Sequence, residues 1–283
     1  MRGGLRRVLV NVIWAVGRRV PHWLRDTVSV VGGLLLHRLP IGGLRQWDAN
    51  FRSVMGRPPT MRERRGLVES WLRNNLMSLS LAHWSDEDVL SRGIISEHHL
   101  KRLRESLAGP GLVIALPHMG SWDFAGAWCA RMGIKVVSVA ERLPAGLYEK
   151  FRQAREGMGM DIYPAGEPGL MAKLAQDVRA GRMVCLLSDR DLSRRGIEVP
   201  WPTDDHPLVV SVPPGPALLA AQTGADLRAV VTIFRGDSVE MRVSERIDVE
   251  SPRETMTDVV AAFAEGVDAA PTSWLMLQPL ARR

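Results

Sequence analysis

Short apolar strands alternating with helical segments predict an α/β fold, a central and mostly parallel sheet flanked by helices. Three observations carry that expectation. Gly111–Leu116, Lys135–Ala140, Arg182–Ser188 and Leu227–Phe234 are apolar runs without clear polar alternation, as in strands covered on both faces. Helical segments at 122–132, 147–157, 170–180 and 216–223 separate them. The composition, 46% hydrophobic and 24% charged, is that of a folded domain and excludes extensive disorder. A chain of 283 residues suits one continuous domain with or without an appendage.

Residues 1–40 read as interfacial, membrane-associating helices. The apolar runs Val8–Val16 and Val28–Leu36 both fall short of the ~20 residues a membrane span needs. No small-x-small cleavage site follows the first run, which argues against a signal peptide. Residues 1–25 carry six Arg and no acid, and Trp14 and Trp23 supply rings suited to headgroup depth. A basic helix packed on the protein's own core is the structural alternative. Residues 1–70 hold 13 basic side chains against 4 acidic ones, whereas the remainder holds 24 against 27. The basic quarter therefore expects an anionic membrane surface. Nucleic acid is not expected, because the arginines flank apolar runs and no binding motif accompanies them.

Residues 41–108 read as the helical part of the fold. A helix over Gln46–Met55 stops at Gly56, before Pro58 and Pro59. Thr60-Met-Arg-Glu63 is a capping box opening a long helix toward Leu81, and Ser85 and Ser96 start two shorter ones. Residues 109–283 form the α/β core, closed by a strand over Ser238–Val249 antiparallel to 227–234 and a helix over 253–269.

Cys129 and Cys185 sit inside apolar runs and read as small buried hydrophobes in a reducing compartment. The seven His show no metal-ligand spacing, so no metal site is expected. No Gly-x-Ser-x-Gly elbow and no phosphate-binding P-loop occurs.

The chemistry concentrates in Leu116-Pro117-His118-Met119-Gly120-Ser121-Trp122-Asp123. An apolar strand delivers His118 to its C-terminal edge, where open α/β sheets bind ligands, and a helix starts near Ser121. Across that turn Asp123 is expected to hold one imidazole nitrogen, fixing the tautomer so that the other takes a proton from a hydroxyl. Gly120 permits a tight turn or a close ligand approach. The structural alternative is a loop His, a Ser121 N-cap and an Asp123 that complements the helix dipole. Gly215, in Pro213-Pro214-Gly215-Pro216, opens a helix whose free amides suit a phosphate, though a plain Pro-led helix start reads equally well.

The His-x4-Asp block resembles the first motif of bacterial lipid acyltransferases, including the lauroyl and myristoyl transferases of lipid A biosynthesis. The nearer likeness is to actinobacterial phosphatidylinositol mannoside acyltransferases. Four further blocks agree in order: Val139-Ala-Glu141-Arg142-Leu143, Leu147-Tyr-x-x-Phe151-x-x-x-Arg155-Glu156-x-x-Gly159, Ser188-Asp189-Arg190-Asp191-Leu192-Ser-Arg194, and Pro214-Gly215-Pro216-Ala217-x-Leu219-Ala220. Terminal Trp274-Leu-Met276-Leu277-Gln278-Pro279 agrees as well. The resemblance spans about residues 110–280 and implies a glycerolipid acyltransferase-like fold. It implies transfer of a long acyl chain, palmitoyl by expectation, from acyl-CoA to a mannose hydroxyl of a phosphatidylinositol mannoside. No cofactor beyond that co-substrate is implied. His118 would be the base and Asp123 its partner, with Asp189 as a further catalytic carboxylate. Glu141, Arg142, Arg155 and Arg190, with Gly120 and Gly215, would bind substrate, Arg155 or the amides near Gly120 serving as oxyanion donors. The chain departs from the expected pattern at Asp189, where a Glu would stand, so that carboxylate is shorter by one methylene. The implied location is the cytoplasmic face of the inner membrane, held peripherally.

Two other readings remain. One is a related transferase that uses an acyl carrier protein or another glycolipid acceptor, such as a lipid A precursor. The other, prompted by Asp189, is a lipid-binding homologue without catalysis.

Overall fold

The computed structural model describes residues 17, 20–143, 146–191, 196–203 and 207–280. The first apolar run with Trp14, the Trp23 side chain and the Leu192–Arg194 part of the fourth block lie outside the described residues.

Seven strands form one sheet in the order β1 (Gly93–Ile94), β9 (Ser238–Val243), β8 (Asp226–Arg235), β2 (Leu112–Leu116), β5 (Met183–Leu187), β3 (Val136–Ala140) and β4 (Met160–Pro164). From β8 to β4 every pairing is parallel; β9 is antiparallel to β8, and β1 runs with β9. The expected mostly parallel sheet is therefore present. Central β2 is buried along its whole length and its side chains alternate between two cores. Val113 and Ala115 face one core, whereas Leu112, Ile114 and Leu116 face the other.

Ten helices carry the described residues around this sheet: α1 (His22–Leu36), α2 (Gly42–Met55), α3 (Met61–Ser80), α4 (Asp86–Arg92), α5 (Glu97–Ala108), α6 (Trp122–Arg131), α7 (Leu147–Gly157), α8 (Leu170–Arg179), α9 (Gly215–Thr223) and α10 (Pro252–Ala269). The capping box of α3 forms as read from sequence, with Thr60 and Glu63 satisfying each other's backbone amides. Arg57 and the Thr60 groups hold the Glu63 carboxyl down to about 2.

Four strands escaped the sequence reading. Met160-Asp-Ile-Tyr-Pro164 is too short an alternation to stand out, and it directly follows Gly159. The separate antiparallel pair β6 (Ile197–Trp201) and β7 (Leu208–Val212) contains Glu198 and Pro200, both poor strand markers. Two-residue β1 carries no periodicity at all. The final strand also stops at Val243 and not at Val249.

A third, smaller core joins α2 and α3 to the C-terminal segment through Trp47, Phe51, Leu67, Val68 and Leu275. Polar contacts fix that segment: the Trp47 indole donates to the Trp274 carbonyl at 2.9 Å, and Asn50 donates to the Met276 carbonyl at 2.8 Å. Both cysteines are free and buried, and burial pushes their thiols up, that of Cys129 to about 12. Among the described residues no helix is long and apolar enough to cross a membrane.

Candidate active site

Strand register assembles the centre of the site. Parallel β2 and β5 pair with a constant offset, ending with Leu116 beside Leu187. The same offset of 71 continues two residues past both strands and sets His118 against Asp189. His118 Nδ1 lies 2.6 Å from Asp189 Oδ1, and the His118 backbone N–H donates to Oδ2 at 2.8 Å. The Trp274 indole donates to the same Oδ2 at 3.4 Å. Asp189 is fully buried, while the imidazole remains 25% exposed. With Nδ1 engaged by a carboxylate, Nε2 is the nitrogen left to accept a proton, and it has no partner among the described residues.

The structure corrects the expectation that Asp123 orients His118. Asp123 Oδ1 accepts from Arg155 Nε at 2.7 Å, and Oδ2 accepts from the Ser78 hydroxyl at 2.8 Å. The cause is local. Ser121 caps α6, so Asp123 lies in the first helical turn and its carboxylate meets α3 and α7 away from the β5 edge. The shorter Asp189 spans the remaining gap to His118 with a normal hydrogen-bond length.

Other sequence-derived sites are likewise redistributed. Gly120 packs tightly against β8. At φ +55° its Cβ would stand 2.3 Å from the Thr232 carbonyl oxygen, so glycine is required for approach to β8. Its amide donates to the Ser273 carbonyl at 2.7 Å, and Leu275 N–H donates to the His118 carbonyl at 2.6 Å. The amide near Gly120 is therefore not a free oxyanion donor, and the C-terminal segment clamps the His118 loop on both sides. Arg142 is exposed and stands outside the cavity wall, because the chain leaves the sheet at Ala140. Glu141 pairs with Arg190 at 3.6 Å and not with its neighbour Arg142. Arg155 is committed to Asp123, which removes it both from a solvated helix face and from free oxyanion duty.

A cavity of about 520 Å³ opens over this arrangement, lined by His118, Asp123, Glu141, Arg155, Arg190 and Gly215 together with Trp71, Asn74, Ser78, Trp122 and Leu143. A second space of about 60 Å³ runs beneath it between α6 and the sheet. The two share Trp122, Asp123, Val139, Arg155 and Leu187. The lower slot is walled almost wholly by apolar groups, with Met160, Met183 and Met241 among them, and with Cys129 and Cys185. Met160 lines the slot, whereas its neighbours Phe124, Trp128 and Met158 pack in the core beside it.

Three contributors escaped sequence reasoning. Ser78 had no signal, being one polar residue of a long helix. Trp122 packs edge-on to His118 at 5.4 Å, and its buried indole nitrogen has no hydrogen-bond partner. Trp274 was visible only as part of a terminal block. The buried Arg190 Nε is also unpartnered. Among the described residues no cluster of His, Cys, Asp or Glu suits a metal ion.

The arrangement can hold a hydroxyl at Nε2, keep its imidazole in one tautomer and place an apolar chain beside it. Comparison with known proteins gives this chemistry a context. A profile of bacterial lipid A biosynthesis acyltransferases matches residues 4–283. A phosphatidylinositol mannoside acyltransferase of Mycolicibacterium smegmatis is 33% identical over 94% of this chain and 88% of its own. One from Mycobacterium tuberculosis is 39% identical over 94% of this chain and 85% of its own.

Proposed function

The chain belongs to the bacterial lipid A biosynthesis acyltransferase family, and from that premise we propose that it moves a long acyl chain, palmitoyl, from its coenzyme A thioester to a mannose hydroxyl of a phosphatidylinositol mannoside. The acceptor class is taken from the relatives' names. The observation that carries the reading is the His118–Asp189 pair, with Nε2 unbonded at the wall of the large cavity.

The reaction needs one base, because the thioester is already activated. Nε2 of His118 takes the acceptor hydroxyl proton while the oxygen attacks the thioester carbon. Asp189 keeps Nδ1 protonated and stabilises the imidazolium that forms. The tetrahedral oxyanion needs donors. Trp122 and Arg190 line the cavity, and each has a buried N–H without a hydrogen-bond partner among the described residues, so we assign them as donors. Collapse breaks the C–S bond, and the leaving thiolate recovers the proton from the imidazolium. No cofactor or metal enters this scheme.

The apolar slot supports an acyl substrate. At about 60 Å³ the slot is far smaller than a long acyl chain. An incoming chain must therefore displace the flexible side chains of Met160, Met183 and Met241, a residue type suited to repacking.

The test is mass spectrometry of products from purified protein given palmitoyl-coenzyme A, or palmitoyl-acyl carrier protein, with a phosphatidylinositol mannoside. Acylated mannoside from the coenzyme A donor is expected, and His118→Ala should reduce the rate about 100- to 10,000-fold without unfolding the protein. Full activity in that variant would end the proposal, and turnover with the carrier-protein donor alone would replace the donor.

A further inference from the structure

Helix α3 turns one stripe of its surface into a wall of the large cavity. Trp71, Asn74, Asn75 and Ser78 all line it, and their spacing is that of a single helix face. The polar groups of this stripe are not equivalent. Ser78 spends its hydroxyl on Asp123 at 2.8 Å. Asn75 is exposed and donates to the Trp71 carbonyl at 2.7 Å. Asn74 differs from both. It is only 6% exposed, and its Oδ1 is buried without a hydrogen-bond partner among the described residues.

Buried amides are normally satisfied, because no water replaces the missing partner. An apolar side chain of similar size would fill this place without that penalty. A carbonyl oxygen kept without a donor at a cavity wall therefore calls for a ligand that brings one. The terminal torsion of an asparagine is soft, so a small turn aims Oδ1 at such a ligand. One helical turn outward stands Trp71, about 5 Å along the axis. At 39% it is the single aromatic side chain among the exposed large apolar ones of the described residues. An indole face beside a carbonyl oxygen matches a pyranose, which presents an apolar C–H face and an edge of hydroxyl donors.

We propose that Trp71 and Asn74 form the subsite that seats the sugar ring of the acceptor. The indole covers the C–H face, and Asn74 Oδ1 accepts from a ring hydroxyl other than the one acylated. This rests on the acyl-transfer reading for the identity of the acceptor, and adds the residues that choose a sugar over a plain alcohol. The stripe leads inward from there: Ser78 meets Asp123, and the adjacent Trp122 packs edge-on to His118 at 5.4 Å. A ring held by the outer residues has its attacking hydroxyl toward Nε2. Neither Trp71 nor Asn74 touches the reacting atoms; both act on acceptor choice. The coenzyme A donor also carries a flat ring and amide N–H groups, so the test separates the two substrates.

Steady-state transfer by the full chain, with palmitoyl-coenzyme A and a phosphatidylinositol mannoside each varied, is paired with saturation-transfer NMR using the deacylated, water-soluble mannoside headgroup. Asn74→Ala and Trp71→Ala should each raise the acceptor KM about tenfold, with kcat and the donor KM kept within about twofold. Asn74→Asp keeps an acceptor oxygen and Trp71→Phe keeps a ring, so each should recover most of the loss. Headgroup binding should weaken in the same order. Asn74→Leu should weaken it too while leaving the unfolding midpoint unchanged or higher, because no hydrogen bond within the protein is lost. The proposal is overturned if the parent does not bind the headgroup, or if the rise falls on the donor KM. It is equally overturned if the alanine variants lower the midpoint and keep the acceptor KM. Headgroup binding that depends on both residues, without any acylation of the mannoside, would instead sink the transfer reading and leave the subsite standing.

Discussion

Two buried carboxylates do different work, Asp123 in the wall of the cavity and Asp189 behind the His118 ring that lines it. Asp189 receives an imidazole, a backbone amide and an indole, and belongs to the sheet edge. Asp123 receives a guanidinium and a hydroxyl, and belongs to the packing of α3, α6 and α7. One partner is an imidazole, the group general-base chemistry uses; the other is a guanidinium, a rigid fork of donors. Proximity in sequence favours Asp123 as the companion of His118, four residues intervening, yet sheet register delivers Asp189 from 71 residues away. In a parallel sheet, residues just beyond paired strand ends are neighbours by construction.

The largest effect expected from this contrast is chemical. Asp189→Asn should cut kcat about 1,000- to 10,000-fold, because an amide no longer selects the productive tautomer. Its unfolding midpoint should move far less than that of any Asp123 variant. Asp189→Glu should recover much of the loss, since the longer carboxylate can still reach Nδ1. If Asp123→Asn proved the more inactive while folded, the assignment of the two carboxylates would be reversed.

The Asp123 region should break differently, through stability. Asp123→Ala leaves the Arg155 guanidinium largely buried without its carboxylate, at a cost of about 3–5 kcal/mol. Removing the cation as well, in Asp123→Ala/Arg155→Leu, should restore part of that loss. Chemical denaturation of the two single variants and the double variant measures the coupling, and strict additivity would refute a structural pair.

Gly120 joins the two regions, since it connects the His118 loop to α6. Gly120→Ala places a methyl 2.3 Å from the Thr232 carbonyl oxygen at a φ that disfavours a side chain. The loop must shift, and a displacement near 1 Å should lower kcat about 100-fold. Equal loss in KM alone, with kcat kept, would show that the glycine serves substrate approach and not loop placement.

Much of this was legible in the chain. Apolar strands and capped helices outlined the fold, and Thr60–Glu63 and Ser121 announced their helices correctly. His118 stood out as a loop residue at a strand end, and Asp189 through the family resemblance. Their partnership did not, because it depends on β2 and β5 being adjacent, and strand order is absent from local patterns. The roles of Ser78 and Gly120 were hidden for the same reason: each acts through a contact with a distant element.

The smallest effect concerns Trp274, which stands behind Asp189. Its ring is fully buried, stacks at 5.6 Å on Trp201, and lies outside the cavity wall. The indole reaches Asp189 Oδ2 at 3.4 Å, a long and weak hydrogen bond. Trp274→Phe deletes that donor while keeping an aromatic ring, and a hydrogen bond this long is worth about 1 kcal/mol. A fall in kcat of about fivefold follows, with KM unchanged because no substrate touches the ring. The smaller ring should also lower the unfolding midpoint through lost packing. Activity loss in Asp189→Asn should then be no deeper when Trp274→Phe is added, because the donor acts only through that carboxylate. A multiplicative loss in the double variant would instead assign Trp274 to loop packing, through its own carbonyl and the clamp on His118.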